Sequence, residues 1–467
     1  MKNLKKLLSK YSEPVPRYTS YPPATHFREG ISNEEYIKYI EESNFGTPQN
    51  ISTYIHIPFC SKMCHYCGCN MLLLKKKDNV CNYVEAVISE IDMVSEHIDR
   101  NRKLSQIHFG GGTPNAIETS YLRKIVENIR SKFSEIENPE IAIECNPAYI
   151  SFEYLDDLLD IGFNRISFGI QDFDEEVLKN SNREPPLIPI EELFDYLRNK
   201  NSDISINLDF IYGLPGQTVE SFMKSMKKAV EIKPDRLVTF SYAHVPWVNT
   251  KQKYLEKLGL PDPFEKIEMF ETSFEFLESK GYLPIGMDHY VAQGDELYEA
   301  AINSDLHRNF QGYCTRRTTG QVYAFGMSSI SQYDKSYIQN VKTTDEYIKM
   351  LSNGNFPIKK FYSLSDEERI IREVINYLMC NKAINWEIIT ENVNRVLNSE
   401  NFTNTEQIKS ILKYKKENLD VFVNDNLIKF NEDNFEVLGT SVLYIRNIAA
   451  AIDPNFESKE GKYSKSV

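Results

Sequence analysis

Four cysteines within ten residues are the strongest chemical signal in this chain. Directly after an extended apolar run that ends at Pro58, the spacing C-x3-C-x2-C-x-C is formed by Cys60, Cys64, Cys67 and Cys69. Cysteine thiolates are the usual ligands of iron–sulfur clusters. We predict that Cys60, Cys64 and Cys67 each hold one iron of a [4Fe–4S] cubane. The fourth iron then lacks a protein ligand and can chelate the amino and carboxylate groups of S-adenosylmethionine.

A cluster with S-adenosylmethionine bound in this way generates radicals. One cluster electron cleaves the sulfonium and produces a 5′-deoxyadenosyl radical. Zinc is the main alternative, but structural zinc sites usually draw their ligands from two separated pairs. The other cysteines are scattered singly, at Cys81, Cys145, Cys314 and Cys380. Disulfides are not expected, because no secretory signal is recognised and cytosolic thiols stay reduced. The pattern therefore favours a radical-generating cluster over zinc.

Composition places few other constraints on function. The chain has 467 residues, of which 41% are hydrophobic and 26% charged, as in ordinary soluble globular proteins. Its length predicts two to three domains, or one large α/β barrel with an appendage. No stretch approaches the roughly 20 apolar residues that cross a bilayer. Because the net charge is −13, nucleic acid is not an expected partner. We expect a cytoplasmic monomer without membrane or nucleic-acid partners.

Strand and helix patterns that must position the cysteine loop alternate along the first half of the chain. Strands are predicted at residues 53–57, 106–109, 140–144, 165–168, 204–211 and 236–242. Helices are predicted near residues 84–98, 121–133, 152–159, 190–198 and 219–232. Parallel neighbours need helical crossovers, which curl such a series into a barrel or an open sheet. Six units are too few for a closed eight-stranded barrel, so we predict an α/β fold with a partial, open βα barrel.

Polar residues gather where these strands end. The carboxyl ends of the predicted strands carry the cysteine loop, the glycine run 110–113, Glu144, Gln171, Asp209 and Ala243. Active sites of α/β barrels lie at this end of the strands. Glycines allow a ligand to approach the backbone closely because they have no Cβ. We therefore expect the active site on this rim.

The remaining regions complete a four-part division. Residues 1–35 are predicted to be a tail covering the cleft, and 36–360 the barrel with a substrate-binding extension. Residues 361–456 are predicted to be a small, mainly helical domain, opened by a capping box at Ser365–Glu368 and including a hairpin near 427–438. From residue 457 the chain is expected to fray.

The loop from Tyr54 to Asn70 resembles the radical S-adenosylmethionine enzymes of the oxygen-independent coproporphyrinogen III dehydrogenase type. The cysteine at position 69 distinguishes it from related heme chaperones, which usually lack one there. The resemblance extends along almost the whole chain. It is carried further by residues 16–22, 171–173, 182–184, 209–215, 242–244, 286–289, 306–313 and 444–447.

The resemblance implies an oxidative decarboxylation without dioxygen in heme biosynthesis. A β-hydrogen is abstracted from a propionate of coproporphyrinogen III, and loss of CO2 and one electron leaves a vinyl group. Two of the four propionates react, which gives protoporphyrinogen IX. The reaction implies an electron donor such as a flavodoxin or ferredoxin, and a terminal acceptor that the sequence does not identify.

The resemblance also implies roles for individual residues. Two S-adenosylmethionine molecules are expected, the first contacted by Tyr54, Gly111, Glu144 and Ile330. The second would be contacted by Tyr66, Gly112, Thr113, Gln171, Arg183, Asp209 and Ala243. Cys69 is expected to be needed for turnover without holding iron.

Four propionates require cations, and the planar fork of arginine suits a carboxylate best. Candidate substrate-binding residues are Arg17, His289, Arg308 and Gln311, with Arg316 and Arg317 as further cations and His307 as a further proton carrier. We hypothesise that the segment bearing Arg17 folds over the barrel mouth. Residues 323–330 are bulkier than the glycine-rich segment expected there, so Tyr323 and Phe325 are predicted to repack one wall of the site.

Two other functions remain alternatives. Another radical enzyme of the same branch, a methyltransferase or an anaerobic heme-ring-opening enzyme, would share the cysteine loop. A heme-trafficking protein would bind heme without turnover. The segments 17–22 and 306–313 favour the dehydrogenase.

Overall fold

The computed structural model describes residues 2–75, 78–247, 249–397, 404–457 and 463. The frayed tail predicted from residue 457 lies almost entirely outside this part of the chain. The strands of the described residues are, in order, β1 Ile51–Ile57, β2 Phe59–Cys60, β3 Leu72–Leu73, β4 Leu104–Gly111, β5 Glu135–Cys145, β6 Arg165–Gln171, β7 Ser205–Tyr212, β8 Arg236–Ser241, β9 Leu283–Ile285, β10 His289–Val291, β11 Leu306–Asn309, β12 Gly312–Thr315, β13 Gln321–Phe325, β14 Ile330–Gln332, β15 Ser336–Asn340, β16 Ile358–Ser363, β17 Ala383–Ile384, β18 Ile428–Asn431 and β19 Asn434–Val437.

The α-helices of the same residues are, in order, α1 Lys2–Tyr11, α2 Asn33–Ser43, α3 Asp78–Ser95, α4 Thr119–Lys132, α5 Phe152–Ile161, α6 Glu175–Asn180, α7 Ile190–Lys200, α8 Val219–Ile232, α9 Gln252–Leu258, α10 Pro263–Ser279, α11 Glu296–Ile302, α12 Thr344–Ser352, α13 Asp366–Asn381, α14 Trp386–Leu397, α15 Thr405–Ile411, α16 Lys416–Asn424 and α17 Ile445–Ile452. The predicted capping box is present, because Ser365 and Glu368 exchange side-chain and backbone hydrogen bonds at the start of α13.

One twelve-stranded sheet organises the molecule, in the order β16-β15-β14-β13-β1-β4-β5-β6-β7-β8-β10-β9. The strands β1 and β4 to β8 pair in parallel, as the alternating pattern predicts. Helical crossovers return the chain between them, because parallel neighbours cannot be joined by tight turns. Antiparallel strands extend the sheet on both sides. The predicted open βα barrel is confirmed.

A seventh parallel strand, β13, was not foreseen from the sequence. It pairs with β1, with Tyr323 opposite Thr53 and Phe325 opposite Ile55. Both aromatic side chains are buried in the main apolar core. The hydroxyl of Tyr323 bonds to Ser43 and accepts from Arg102, which places this ring in the core. The prediction that these bulky residues repack a wall of the substrate site is therefore wrong.

The N-terminal segment is anchored to the C-terminal region. The hydroxyls of Tyr18 and Tyr21 donate to the Asp453 carboxylate at 3.1 and 2.7 Å. Tyr11 of α1 donates to Asp425 at 2.7 Å and stacks on Phe422. Residues of both regions belong to the same apolar cluster as the barrel. One apolar core therefore joins the N-terminal segment, the barrel and the C-terminal region. The boundaries at residues 35, 360 and 456 stay predictions.

A buried carboxyl, Glu90 of α3, holds the turn that follows β13. It accepts hydrogen bonds from the Gly326 amide at 2.9 Å, the Asn340 side chain at 2.7 Å and the Tyr347 hydroxyl at 2.5 Å. Burial raises the pKa of Glu90 to about 7, although these donors favour the charged form. The turn it supports lies beside the end of β1, where the Met327 amide donates to Tyr83 and Tyr83 donates to the His56 carbonyl.

The raised pKa of Glu90 predicts a pH-dependent stability. The folded protein keeps this proton while the unfolded chain loses it above about pH 4.5, so the contribution is lost as pH rises towards 7. Relative to Glu90→Gln, the wild type should lose about 2.5 kcal/mol of unfolding free energy between pH 5 and 8. Anaerobic urea unfolding at four pH values measures the difference. The control is the exposed Glu85→Gln on the same helix, and a Glu90→Gln slope identical to wild type would contradict the prediction.

Candidate active site

The cysteine loop begins where β1 ends and packs against the glycine run at the end of β4. The Gly112 amide donates to the Ile57 carbonyl at 2.8 Å, and the Thr113 amide to the Phe59 carbonyl at 2.9 Å. A Cβ at Gly112 would lie 2.7 Å from the Pro58 oxygen, so no other residue fits this approach. The hydroxyl of Thr113 also bonds to the Cys60 sulfur at 3.2 Å.

The loop is held from its outer side by neighbouring segments. The His65 amide donates to the Ser181 carbonyl at 3.0 Å, and the side chain of Asn182 donates to the Met63 carbonyl at 2.8 Å. The side chain of Asn249 donates to the Cys67 carbonyl at 2.6 Å. These bonds fix the backbone and leave the thiols available as ligands.

The three predicted ligands fit an iron–sulfur cluster. Cys60 and Cys64 are buried, Cys67 is half-buried, and all three are free thiols. Arg183 donates to the Cys64 sulfur at 3.8 Å, which offsets part of the charge that thiolates bring. Among the described residues no three His, Cys, Asp or Glu side chains are already arranged to hold a single metal ion. Each cubane thiolate binds a different iron, so convergence on one point is not required.

Cys69 interacts with a predicted ligand and lies at the cleft. Its amide donates to the Cys67 sulfur at 3.4 Å. The hydrogen bond between the two side chains raises the pKa of the Cys69 thiol and lowers that of Cys67. The nearby carboxylate of Glu144 raises the pKa of Cys69 further. Of these two neighbouring thiols, Cys67 is therefore the stronger acid.

Two histidines that sequence reasoning missed, His56 and His108, lie between or beside the predicted cofactor residues Tyr54 and Glu144 on strands β1, β4 and β5. Tyr54 shares a hydrogen bond with His56 at 3.3 Å and stacks on His108 at 5.9 Å between ring centroids. His108 lies 3.2 Å from a Glu144 oxygen. Gly111 has φ +114°, and its missing side chain makes room for the His56 ring. The signal for His56 was its position two residues after Tyr54, on the same strand face.

Asp209 lies inside the barrel, within β7. It accepts from Ser167 and Asn207, each at 2.8 Å. Burial raises its pKa to about 6, and the Glu144 charge raises it while His289 lowers it. The pKa of Asp209 therefore depends on both Glu144 and His289.

The other predicted contacts of the second cofactor gather on neighbouring strands. Gln171 ends β6 with φ +72°, an uncommon conformation for a non-glycine residue. Arg183 donates to the carbonyl of Gly169, which lies in β6 with Gln171. Gln252 donates to the carbonyls of Tyr66 and Ala243 at 3.2 and 3.3 Å, which joins these two predicted contacts.

Two predicted residues have apolar surroundings. The Tyr66 ring packs against a small buried cluster that includes Leu214 and Leu255. Burial raises the pKa of its hydroxyl, which interacts with Cys64. Ile330 packs on a cluster that includes Phe27 and Tyr337, directly after the turn supported by Glu90.

A group of cations lies on the other side of the cleft. His289 is bonded to Asp288 at 2.7 Å, and Arg308 lies over the Tyr313 ring at 5.4 Å. Burial opposes ionisation of Asp288, but the bond to His289 and the charges of Arg308 and Arg17 lower its pKa overall. Arg17 itself is exposed. The N-terminal segment therefore brings a cation to this group.

Arg308 also has a structural role that sequence reasoning did not foresee. It is buried, and it donates to the carbonyls of Arg17 and Tyr18 at 3.3 and 3.2 Å. In the turn between β11 and β12, Gln311 has a buried side-chain oxygen without a partner among the described residues. Arg308 thus fixes the segment that presents Arg17.

Three further sequence candidates lie outside this group. Arg316 and Arg317 line a surface cavity with Asn50 and Asn138, next to the amino ends of β1 and β5, and Arg317 pairs with Glu296 at 2.8 Å. Burial and the charges of Arg316 and Arg372 lower the pKa of His307 to about 3. Arg316 and Arg317 therefore lie at the end of the strands opposite the cysteine loop, and the prediction that they bind propionates is wrong. The role of His307 as a proton carrier stays a prediction.

Comparison with known proteins identifies the family. The Radical SAM superfamily model matches residues 54–229. The oxygen-independent coproporphyrinogen III oxidase of Synechocystis is 36% identical, covering 99% of this chain and 97% of its own length. The enzyme of that name from Escherichia coli is 34% identical, covering 97% and 95%. This chain belongs to the oxygen-independent coproporphyrinogen III oxidase family.

The solved structure of coproporphyrinogen III oxidase from Escherichia coli, a radical SAM enzyme, has the same fold. It superimposes with a TM-score of 0.83 at 32% identity, covering 94% of this chain and 98% of that one. Family membership implies a [4Fe–4S] cluster and S-adenosylmethionine. Of the four free thiols of the loop, the three predicted ligands suit such a cluster chemically. In the part of the chain that the structure describes, no helix is long and apolar enough to cross a membrane.

Proposed function

We propose that this chain converts two propionates of coproporphyrinogen III to vinyl groups without dioxygen, which yields protoporphyrinogen IX. The observation that carries the proposal is the pairing of two unlike groups at one end of the sheet. Along the sheet, β7 with the buried Asp209 lies between β1, after which the cysteine loop begins, and β10, which carries His289 near Arg308. Family membership over the whole chain supports this reading.

The residues of the cysteine side hold and orient the cofactors. Cys60, Cys64 and Cys67 bind three irons, and the cluster with S-adenosylmethionine supplies the one-electron chemistry that abstracts a hydrogen atom. One S-adenosylmethionine is contacted by Tyr54, Gly111, Glu144 and Ile330. A second is contacted by Tyr66, Gly112, Thr113, Gln171, Arg183, Asp209 and Ala243. Cys69 retains a proton beside them.

The residues of the cationic side bind the tetrapyrrole. Arg17 pairs with a propionate, while Arg308 holds the Arg17 backbone in place. His289, bonded to Asp288, and the free side-chain oxygen of Gln311 provide polar contacts near the same site. A flavodoxin or ferredoxin supplies the electron, an unidentified acceptor removes one, and the chain acts as a cytoplasmic monomer.

Anaerobic turnover tests the proposed function. Reconstituted protein, coproporphyrinogen III, S-adenosylmethionine and a reductant should yield a divinyl product, CO2, methionine and 5′-deoxyadenosine, with cofactor consumption dependent on substrate. S-adenosylhomocysteine with a methylated product would indicate a methyltransferase instead. Stoichiometric heme binding without a vinyl product would indicate a trafficking protein.

Arg17→Ala should weaken substrate binding specifically. A hydrogen bond to a charged group contributes roughly 1.5–3 kcal/mol, so we expect KM to rise about 10-fold to 100-fold. Iron content should not change, because Arg17 belongs to the N-terminal segment that Arg308 holds and is not a predicted ligand. Steady-state kinetics measures the effect, and Arg17→Lys should recover part of it. The matched control is Arg28→Ala, an exposed arginine of the same segment whose backbone pairs with Phe361. An unchanged KM in Arg17→Ala would contradict the role of Arg17.

A further inference from the structure

Two exposed leucines lie one strand away from a predicted iron ligand. Leu72 and Leu73 form β3 and are 38% and 42% exposed. β3 pairs in parallel with β2, with Leu73 opposite Cys60. The Leu74 amide donates to the Cys60 carbonyl at 2.9 Å. Exposed apolar side chains are common singly, but adjacent ones beside a redox site call for an explanation.

A surface cavity of about 350 Å³ adjoins these leucines. Its apolar lining includes Phe59 of β2 and Ile348 of α12, and Asn82 of α3 closes one side. None of these side chains belongs to the cofactor or substrate groups described above. The leucines and the cavity together make an apolar surface on the outside of the cysteine loop.

The charged residues that line this surface are mainly basic. The lining contains two lysines, Lys75 and Lys349, and one acid, Asp345. The chain as a whole has a net charge of −13. A local excess of positive charge on an acidic protein steers acidic partners to that place.

We propose that Leu72, Leu73, Lys75, Lys349 and the adjoining cavity form the docking surface for an acidic one-electron carrier protein of the flavodoxin class. The inference rests on the proposed function, because radical generation needs an external electron. The carrier loses one electron and the cluster gains it, and no bond is formed or broken between the proteins. Electron transfer weakens steeply with distance, so a carrier seated one strand from Cys60 is well placed. Weak redox complexes use small interfaces, so a few residues can carry such a contact.

The test compares the holoenzyme with a Lys75→Glu/Lys349→Glu variant, using purified bacterial flavodoxin as the probe. Both side chains are exposed, so the fold should tolerate the changes. Interferometry at low salt should show flavodoxin affinity reduced at least ~10-fold, and flavodoxin-driven turnover should fall in parallel. Turnover driven by dithionite should stay within about twofold of wild type. Leu73→Asn should reduce affinity as well, without changing the charge.

The matched control reverses a charge at the opposite end of the sheet. Lys38→Glu/Phe45→Asn alters an exposed lysine and an exposed aromatic residue that precede β1, and it should change neither binding nor turnover. Unaltered flavodoxin binding in the charge-reversed variant, or no binding by wild type, would overturn the proposal. So would equal loss of dithionite-driven turnover, or a wild-type dimer in sedimentation that the variant loses. If the wild type showed no turnover with either flavodoxin or dithionite, that result would count against the proposed function instead. The two proposals stay distinguishable because flavodoxin binding is measured independently of turnover.

Discussion

Cys64→Ala is expected to remove the cluster and to abolish turnover. The loop positions Cys64 with its sulfur beside Arg183, and the loop backbone is fixed by bonds that do not involve the thiol. The protein should therefore still fold while holding much less than the about four irons per chain of an intact cubane. Without the cluster no hydrogen is abstracted, so product should fall below detection. Iron and sulfide analysis of anaerobically reconstituted protein, with the turnover assay, measures both effects.

Cys81→Ala is the matched control for this experiment. Cys81 is an exposed free thiol of α3, outside the loop. The control should keep wild-type iron and wild-type turnover. If Cys64→Ala retained full iron content, Cys64 would not be a ligand and the proposed centre would be wrong.

Cys69→Ser should separate cluster binding from catalysis. The hydrogen bond to Cys67 and the nearby Glu144 raise the pKa of the Cys69 thiol. A serine hydroxyl of similar size leaves the loop intact but is a far weaker acid. We expect iron content equal to wild type and turnover reduced about 10²-fold to 10⁴-fold, the usual range for loss of a positioned proton donor. Iron analysis, the visible spectrum of the cluster and product quantification together test this.

Cys67→Ser is the comparison for Cys69→Ser, because the two residues are hydrogen-bonded neighbours with different predicted roles. Cys67→Ser should lose iron and turnover together. Loss of iron in Cys69→Ser would make Cys69 a ligand, and undiminished turnover would remove its catalytic role.

The cysteine ligands could be predicted from the sequence because they are separated by only a few residues. The three predicted ligands lie on one loop, so no long-range packing is needed to bring them near each other. Strand and helix periodicity likewise predicted the six βα units, since burial against a sheet imposes a local pattern. The order of these strands in the sheet agrees with their order in the chain.

Residues recruited from distant segments were predicted less well. β13 joins β1 although about 260 residues separate them, and nothing in its own pattern identifies that neighbour. Arg308 and Arg316 both looked like propionate ligands. The β11–β12 hairpin keeps Arg308 next to Tyr313, while Arg316 follows the far end of the hairpin. Strand geometry, which advances about 3.3 Å per residue, separates two arginines that sequence reasoning treated alike.

By itself the sequence therefore determined the open βα barrel and the family, and it predicted which cysteines hold the cluster. The tertiary structure alone decided which cations reach the cleft, that Arg308 clamps the segment bearing Arg17, and that Tyr323 belongs to the core. The physical reason is that spacing and periodicity are encoded by neighbours along the chain. By contrast, the packing of segments that are distant in the chain decides which end of the sheet a side chain lies at.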